Sequence, residues 1–141
     1  MAKRIPSITL LHSIVCDDIR REDNGKFILI GVYPELIILN AIPAQIILGI
    51  WLQFKMQLFE KTTLQFEIRG DAIQDPMPFS LEIGDENFFG KLEAVPLIVK
   101  LPFTIKSAGS FTIYFRKQGD AEWQPAQTVQ VQHNATKQFL Q

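Results

Sequence analysis

From Ile46 to Gln57 the chain alternates without a break. Ile46, Leu48, Ile50, Leu52, Phe54 and Met56 fall on one face of an extended segment, and Ile47, Gly49, Trp51, Gln53, Lys55 and Gln57 on the other. Side chains of a strand point to opposite faces in turn, whereas an amphipathic helix repeats every three to four residues. The second set turns polar toward the C-terminal end, so the segment reads as a long half-buried strand. The same period recurs down the chain. Leu64, Phe66 and Ile68 alternate with Gln65, Glu67 and Arg69; after the breaker Asp75-Pro76-Met77-Pro78 come Phe79, Leu81 and Ile83. Leu97, Val99, Leu101, Phe103 and Ile105 form another face, Phe111, Ile113 and Phe115 a further one, and Val129 and Val131 the last. No stretch of about ten residues follows a helical period.

The punctuation agrees with this pattern. Asn24-Gly25 is a strong short hairpin signal and predicts a two-residue type I′ turn, joining a first strand from about Ile8 to Cys16 or beyond with Lys26–Tyr33. Gly70-Asp71, Gly84-Asp85 and Gly119-Asp120 mark further turns at sandwich-like spacing. Pro102 interrupts a well-patterned strand, which predicts an edge strand or a bulge, because proline donates nothing to a ladder. Leu36–Leu39 reads as a short buried strand. The fold class is therefore all-β, a two-sheet antiparallel β-sandwich of immunoglobulin-like or C2-like type. A chain of 141 residues is expected to form one domain, over residues 1–132, with 133–141 a loose tail in which Phe139 and Leu140 could dock. The predicted core comprises Leu48, Ile50, Leu52, Phe54, Leu64, Phe66, Ile68, Leu81, Val99, Leu101, Phe111, Ile113 and Phe115.

Composition then excludes several function classes. Fourteen Lys and Arg against fifteen Asp and Glu leave a net charge of −1. The positive pairs Lys3-Arg4, Arg20-Arg21 and Arg116-Lys117 are isolated or lie beside acids, which argues against nucleic acid as a partner. The single cysteine, Cys16, permits no intrachain disulfide and fits a reducing compartment, so the expected location is cytoplasmic. The apolar stretch from Phe27 to Phe54 is broken by Pro34, Glu35, Asn40, Pro43 and Gln45, and reaches nothing like a membrane helix. The Asn134-Ala135-Thr136 sequon is on this reading a chance match. Eleven phenylalanines are mainly core-filling, since Phe carries no polar handle.

Few residues suggest chemistry. His12 and Cys16 sit four apart, about 13 Å along a strand at ~3.3 Å per residue, too far for a shared metal or a proton transfer. Cys16 reads as a small buried hydrophobe and His12 as a strand residue with a single partner. The segment Asp17-Asp18-Ile19-Arg20-Arg21-Glu22-Asp23 invites a calcium reading, because C2-type sandwiches hold Ca²⁺ with loop aspartates. It lacks the ligand spacing of an EF-hand loop, and adjacent aspartates on a strand diverge. There is no nucleophile elbow, phosphate loop, Cys-x-x-Cys or His-Glu-x-x-His. No catalytic residue, cofactor or metal ligand is therefore assigned.

Partner-binding candidates are aromatic. Phe88-Phe89, between Asn87 and Gly90, cannot both face one core from a strand, so either one ring is a loop-tip anchor or a bulge buries both. Trp51 and Ile47 lie on the second face of the long strand. Tyr114 and Trp123 fit the outer face of a C-terminal hairpin.

Two pieces of the chain carry a resemblance. Cys16-Asp17-Asp18-Ile19-Arg20 with Asn24-Gly25-Lys26-Phe27-Ile28-Leu29-Ile30-Gly31-Val32-Tyr33, and Leu101-Pro102-Phe103-Thr104-Ile105 with Gly109-Ser110-Phe111, together resemble an uncharacterised bacterial family, a domain of unknown function. The likeness runs in order over roughly residues 5 to 131 and implies no activity. The second piece also looks like the penultimate strands of immunoglobulin-like sandwiches, without the tyrosine those place where Phe111 or Ile113 stands.

The expectation is then a non-enzymatic binding or assembly module with a protein partner or, as a homodimer, a second copy of itself. The alternatives are a cation- or small-ligand-binding sandwich using the Asp17–Asp23 end, and an enzyme with a paired-carboxylate site. Ile46–Leu52 carries no edge protection. It should be central in its sheet or covered by a second copy, with Trp51, Ile47 or Phe88-Phe89 among the contacts.

Overall fold

Each alternating segment forms a strand in the computed structural model, which describes residues 4–134. In chain order these are β1 (Ser7–Arg21), β2 (Phe27–Tyr33), β3 (Leu36–Leu39), β4 (Ala44–Gln57), β5 (Thr62–Arg69), β6 (Met77–Ile83), β7 (Leu92–Ile105), β8 (Gly109–Lys117) and β9 (Gln124–His133). A 3-10 turn lies at Glu86–Phe88. The strands make a four-stranded sheet of order β2-β1-β4-β7 and a five-stranded sheet of order β3-β9-β8-β5-β6. Neighbours are antiparallel except β3 and β9, which run parallel. The architecture is the all-β sandwich that the period of two requires. Among the described residues no helix is long and apolar enough to cross a membrane.

The core lies between the sheets and is built from the alternating faces. Leu48, Ile50, Leu52, Phe54 and Met56 of β4 meet Leu64, Phe66, Ile68, Phe111, Ile113 and Phe115 of β5 and β8, all buried. Phe54 packs edge-on against Phe115 at 5.1 Å, and Phe103 stacks on Phe111 at 5.6 Å, geometries that the ring quadrupole favours. Three predicted core residues, Leu81, Val99 and Leu101, are only half-buried. They sit on β6 and β7, the outermost strands, where no neighbouring strand closes over them.

β7 is the edge that Pro102 implied, and β4 is central between β1 and β7. Of the unguarded Ile46–Leu52 stretch, Gly49–Leu52 is paired within the chain on both sides and Ile46–Leu48 with β7 alone. β3 is the short strand expected at Leu36–Leu39, but of its residues only Ile37 is fully buried. The Asn24-Gly25 hairpin is present with a different turn. Gly25 donates its N–H to the Glu22 carbonyl at 3.0 Å and Glu22 donates to that of Lys26 at 2.8 Å, closing a three-residue loop. Gly25 alone of the loop residues has positive φ, +85°, and Asn24 does not, so the connection is a type I turn followed by a left-handed glycine rather than type I′. At the other end β9 runs to His133. The His133 ring meets the Asn40 carbonyl at 3.0 Å, and Asn134 bonds the Asn40 side chain at 2.7 Å. The rest of the expected tail, with Phe139, Leu140 and the sequon's Ala135 and Thr136, lies outside the described residues, as does Lys3.

One feature of the four-stranded sheet positions the site. β1 pairs with β4 only as far as Cys16–Gly49 and continues with β2 alone, past a kink where Gly31 has φ +68°. The far part of this hairpin is an arm that bends back over the sheet's outer face. Gly49 makes the bend possible: a Cβ there would lie 3.0 Å from Ile19 Cγ1, and every other position of β4 between Ile46 and Leu52 carries a large apolar side chain. The missing side chain is the seat for Ile19, which is buried.

Candidate partner-binding face

The outer face of the four-stranded sheet is laid out by the β4–β7 register. Ile47 stands beside Pro102, Gly49 beside Lys100, Trp51 beside Ile98, Gln53 beside Pro96, and Gln57 beside Leu92. Water touches much of this surface: Ile47 is 67%, Leu92 57% and Ile98 36% exposed. Trp51 is half-buried with the His12 ring stacked alongside it at 6.5 Å. Its indole Nε1 is buried without a hydrogen-bond partner, a condition that costs roughly 1–3 kcal/mol. Between the arm (Ile19, Arg21, Gly25, Phe27) and β7 (Pro96, Ile98) a groove of about 560 Å³, lined by polar and apolar surface in equal measure, remains open. The arm adds three exposed aliphatic residues, Ile28 at 41%, Ile30 at 40% and Val32 at 51%.

Polar groups at the base of the arm fix its direction. Asp18 binds Lys100 Nζ at 2.5 Å and Arg20 Nε at 3.2 Å, and accepts the Ile19 N–H at 2.9 Å. The Lys100 ammonium and Arg20 guanidinium hold its carboxyl down to about 2. Asp17 points the other way, over Gly31, and accepts a hydrogen bond from the Tyr33 hydroxyl. Burial first, and then Asp17, push that phenol up to about 12. Burial also raises the Cys16 thiol, whose Sγ lies 3.3 Å from the Asp18 carbonyl oxygen.

These contacts place the residues singled out in the sequence. Asp17 and Asp18 diverge to separate partners, so the Asp17–Asp23 end does not converge on a common point. Among the described residues no three His, Cys, Asp or Glu side chains are arranged to hold a metal ion. His12 faces solvent against Trp51, and Cys16 is buried as a small hydrophobe. Of the partner-binding candidates, Trp51 and Ile47 share the exposed face. Phe88 and Phe89 do not reach it: they lie edge to face at 6.4 Å in the 3-10 turn, half-buried against the core. Neither ring is fully buried, and they sit in a turn rather than a strand bulge.

The outer face of the five-stranded sheet is different in kind. Arg69 lies over Tyr114 at 4.1 Å and within 5.7 Å of Trp123, and Arg116 lies over Trp123 at 4.2 Å while donating to Gln65 at 2.8 Å. Glu67 is 3.4 Å from Arg69 Nε, close enough for an ion pair but not aligned for a hydrogen bond. Thr112 and Thr128 bond each other at 2.8 Å. Sequence reading found Tyr114 and Trp123 and missed Arg69, the residue that links them. The available signal was its place on the polar face of β5, directly across from β8. This ladder joins β5, β8 and the β8–β9 loop; among the described residues Ile38 of β3, 54% exposed, is the one large aliphatic residue that this sheet exposes.

No protein-family model matches the chain, and no curated protein does.

Proposed function

We propose that this chain is a non-enzymatic protein-binding or assembly module that docks its partner on the outer face of the four-stranded sheet. The observation that carries the reading is the contrast between the two outer faces. One is knitted together by arginine–aromatic stacking and side-chain hydrogen bonds. The other leaves Ile98 to water directly across from a half-buried Trp51, with Ile47 and Leu92 exposed farther along the same face. Exposed aliphatic residues sharing a face with a half-buried aromatic are a common composition of an interface. The strand order supports an immunoglobulin-like reading, with β4 and β7 in one sheet and β5, β8 and β9 in the other, as B and E face C, F and G. A fold of that type supplies no function by itself. The lone buried Cys16 supports a reducing, cytoplasmic setting.

Covalent surface footprinting tests the reading. Ile47, Ile98 and Trp51 are expected to label at least several-fold less in native cell extract than in dilute purified protein, with Tyr114 unchanged. Equal labelling of these residues in the two settings rejects it.

A further inference from the structure

The outer face of the five-stranded sheet holds a cation that no acid answers. Arg116 is half-buried on β8, and among the described residues no carboxylate lies within ion-pair distance of it. Its guanidinium is held from two sides, over Trp123 at 4.2 Å and by the Nε hydrogen bond to Gln65 Oε1 at 2.8 Å. That bond uses Nε and leaves the two terminal nitrogens, half of the fork that pairs with a carboxylate, for another partner. Arginine only donates, so Gln65 must turn its amide oxygen toward Arg116 and keep its amide N–H₂ for a different acceptor.

These groups line a trough of about 370 Å³. The strand register lays it out. Ser80, Gln65 and Arg116 stand in one row across β6, β5 and β8, and Pro78 and Glu67 in the next, with Trp123 lining the same space just ahead of β9. One row therefore offers donors. The other offers the Glu67 carboxylate, about 7 Å farther along β5 at ~3.4 Å per residue. Glu67 already faces Arg69 Nε at 3.4 Å, and Glu82, one row beyond Ser80, is paired with Lys61 at 3.7 Å. What is left over is the single positive charge of Arg116.

We propose that this trough binds a small hydroxylated monocarboxylate, a sugar acid in chemical class. Its carboxylate pairs with the Arg116 fork and the Gln65 amide, and one of its hydroxyls donates to Glu67. The site is separate from the docking face and stands or falls independently of it. Charge and geometry select the ligand. A planar guanidinium matches a planar carboxylate, and one unanswered cation admits one anion. A phosphate dianion would bring its second charge toward Glu67. A ligand ammonium would compete with Arg69, whereas a hydroxyl can donate to a carboxylate that already has its counter-ion. The volume is at the small end of the range for ligand sites, about 300–1,000 Å³, which suits one sugar ring rather than a chain.

Isothermal titration calorimetry at low ionic strength tests the site, with D-glucuronate as the probe. D-glucuronate is expected to bind with a millimolar or tighter dissociation constant. D-glucose, which lacks the carboxylate, acetate, which lacks the hydroxyls, and inorganic phosphate are each expected to bind at least tenfold more weakly. Gln65→Glu supplies Arg116 with an acid from its own chain, and is expected to weaken D-glucuronate at least tenfold without lowering the melting temperature. Arg116→Lys keeps the charge but removes the fork, and is expected to weaken it as much. Ile47→Asp, on the docking face, should leave it unchanged. No binding at tens of millimolar D-glucuronate overturns the proposal, as does binding that survives both Gln65→Glu and Arg116→Lys. Acetate or phosphate binding as tightly as D-glucuronate also overturns it, by reducing the site to a general anion contact.

Discussion

Gly49 shows how one absent side chain shapes this surface. It lies in a strand otherwise filled with isoleucine and leucine, and its φ is unexceptional, so space and not backbone freedom explains it. A Cβ would meet Ile19 Cγ1 at 3.0 Å, Ile19 Cδ1 at 3.2 Å and Cys16 Sγ at 3.3 Å. Gly49→Leu should lift Ile19 off the sheet and destabilise by about 1–3 kcal/mol, the usual cost of overpacking. Thermal melting reads the loss, and limited proteolysis should show new cleavage between Asp17 and Gly31. An uncut arm would mean that Ile19 does not rest there. Alternation in the sequence gave Gly49 its face, but not its reason. The atom that needs the space belongs to Ile19, thirty positions away along the chain, and nothing local encodes that approach. Asp18 was legible in the same partial way: divergence from Asp17 followed from strand geometry, while its partner Lys100 depended on where the arm falls.

Among the elements, β4, β5 and β8 were the most legible because each buries one face and lies between two neighbours. Phe66 is buried on β5 and stacks on Phe79 of β6 at 4.8 Å. Phe66→Ala should cost roughly 3–5 kcal/mol in denaturant unfolding; a loss under about 1 kcal/mol would mean that the site collapses around the cavity. Edge strands were read correctly as strands but too deeply as core, as Leu81, Val99 and Leu101 show. The β1–β2 turn was located and mistyped. Asn-Gly suits type I′, yet Asp23 and Asn24 adopt ordinary negative φ and leave the left-handed position to Gly25 alone. Asn24 Oδ1 accepts the Lys26 N–H at 3.0 Å, a local bond that favours this looser closure. Gly25→Val should therefore destabilise the hairpin by about 1–2 kcal/mol through a forced left-handed valine. Asn24→Ala is expected to cost less, because its backbone needs no special conformation. Equal losses at the two positions, measured by thermal melting, would contradict this turn.

At the scale of the whole molecule, the sandwich divides into a core closed on both sides and an arm held from one side. β4 and β7 pair along their full length and β5 is flanked by β6 and β8. Beyond Cys16 the arm has only its own hairpin ladder, the Ile19 seat and the Asp18–Lys100–Arg20 contacts. An element with so few buried contacts should open on its own, at lower free energy than global unfolding. In dilute protein, the Ile28 and Ile30 amides, which face β1, should therefore exchange faster than those of Phe66 and Ile113. Acid should widen the gap. Asp18 titrates at about 2 in the closed arm, below an ordinary carboxyl near 3.9. Its contribution is then complete above roughly pH 4 and is lost as pH falls toward about 2. Arm protection relative to the core should fall across that window in wild type. In Asp18→Asn it should be low at neutral pH already and should not change further, since an amide has no proton to gain there. Added salt should weaken the wild-type arm at neutral pH and leave the variant little affected, because the ion pairs are partly exposed and screened. Arm amides that match the core throughout, or that ignore both acid and the Asp18 substitution, would show that apolar seating alone closes the arm.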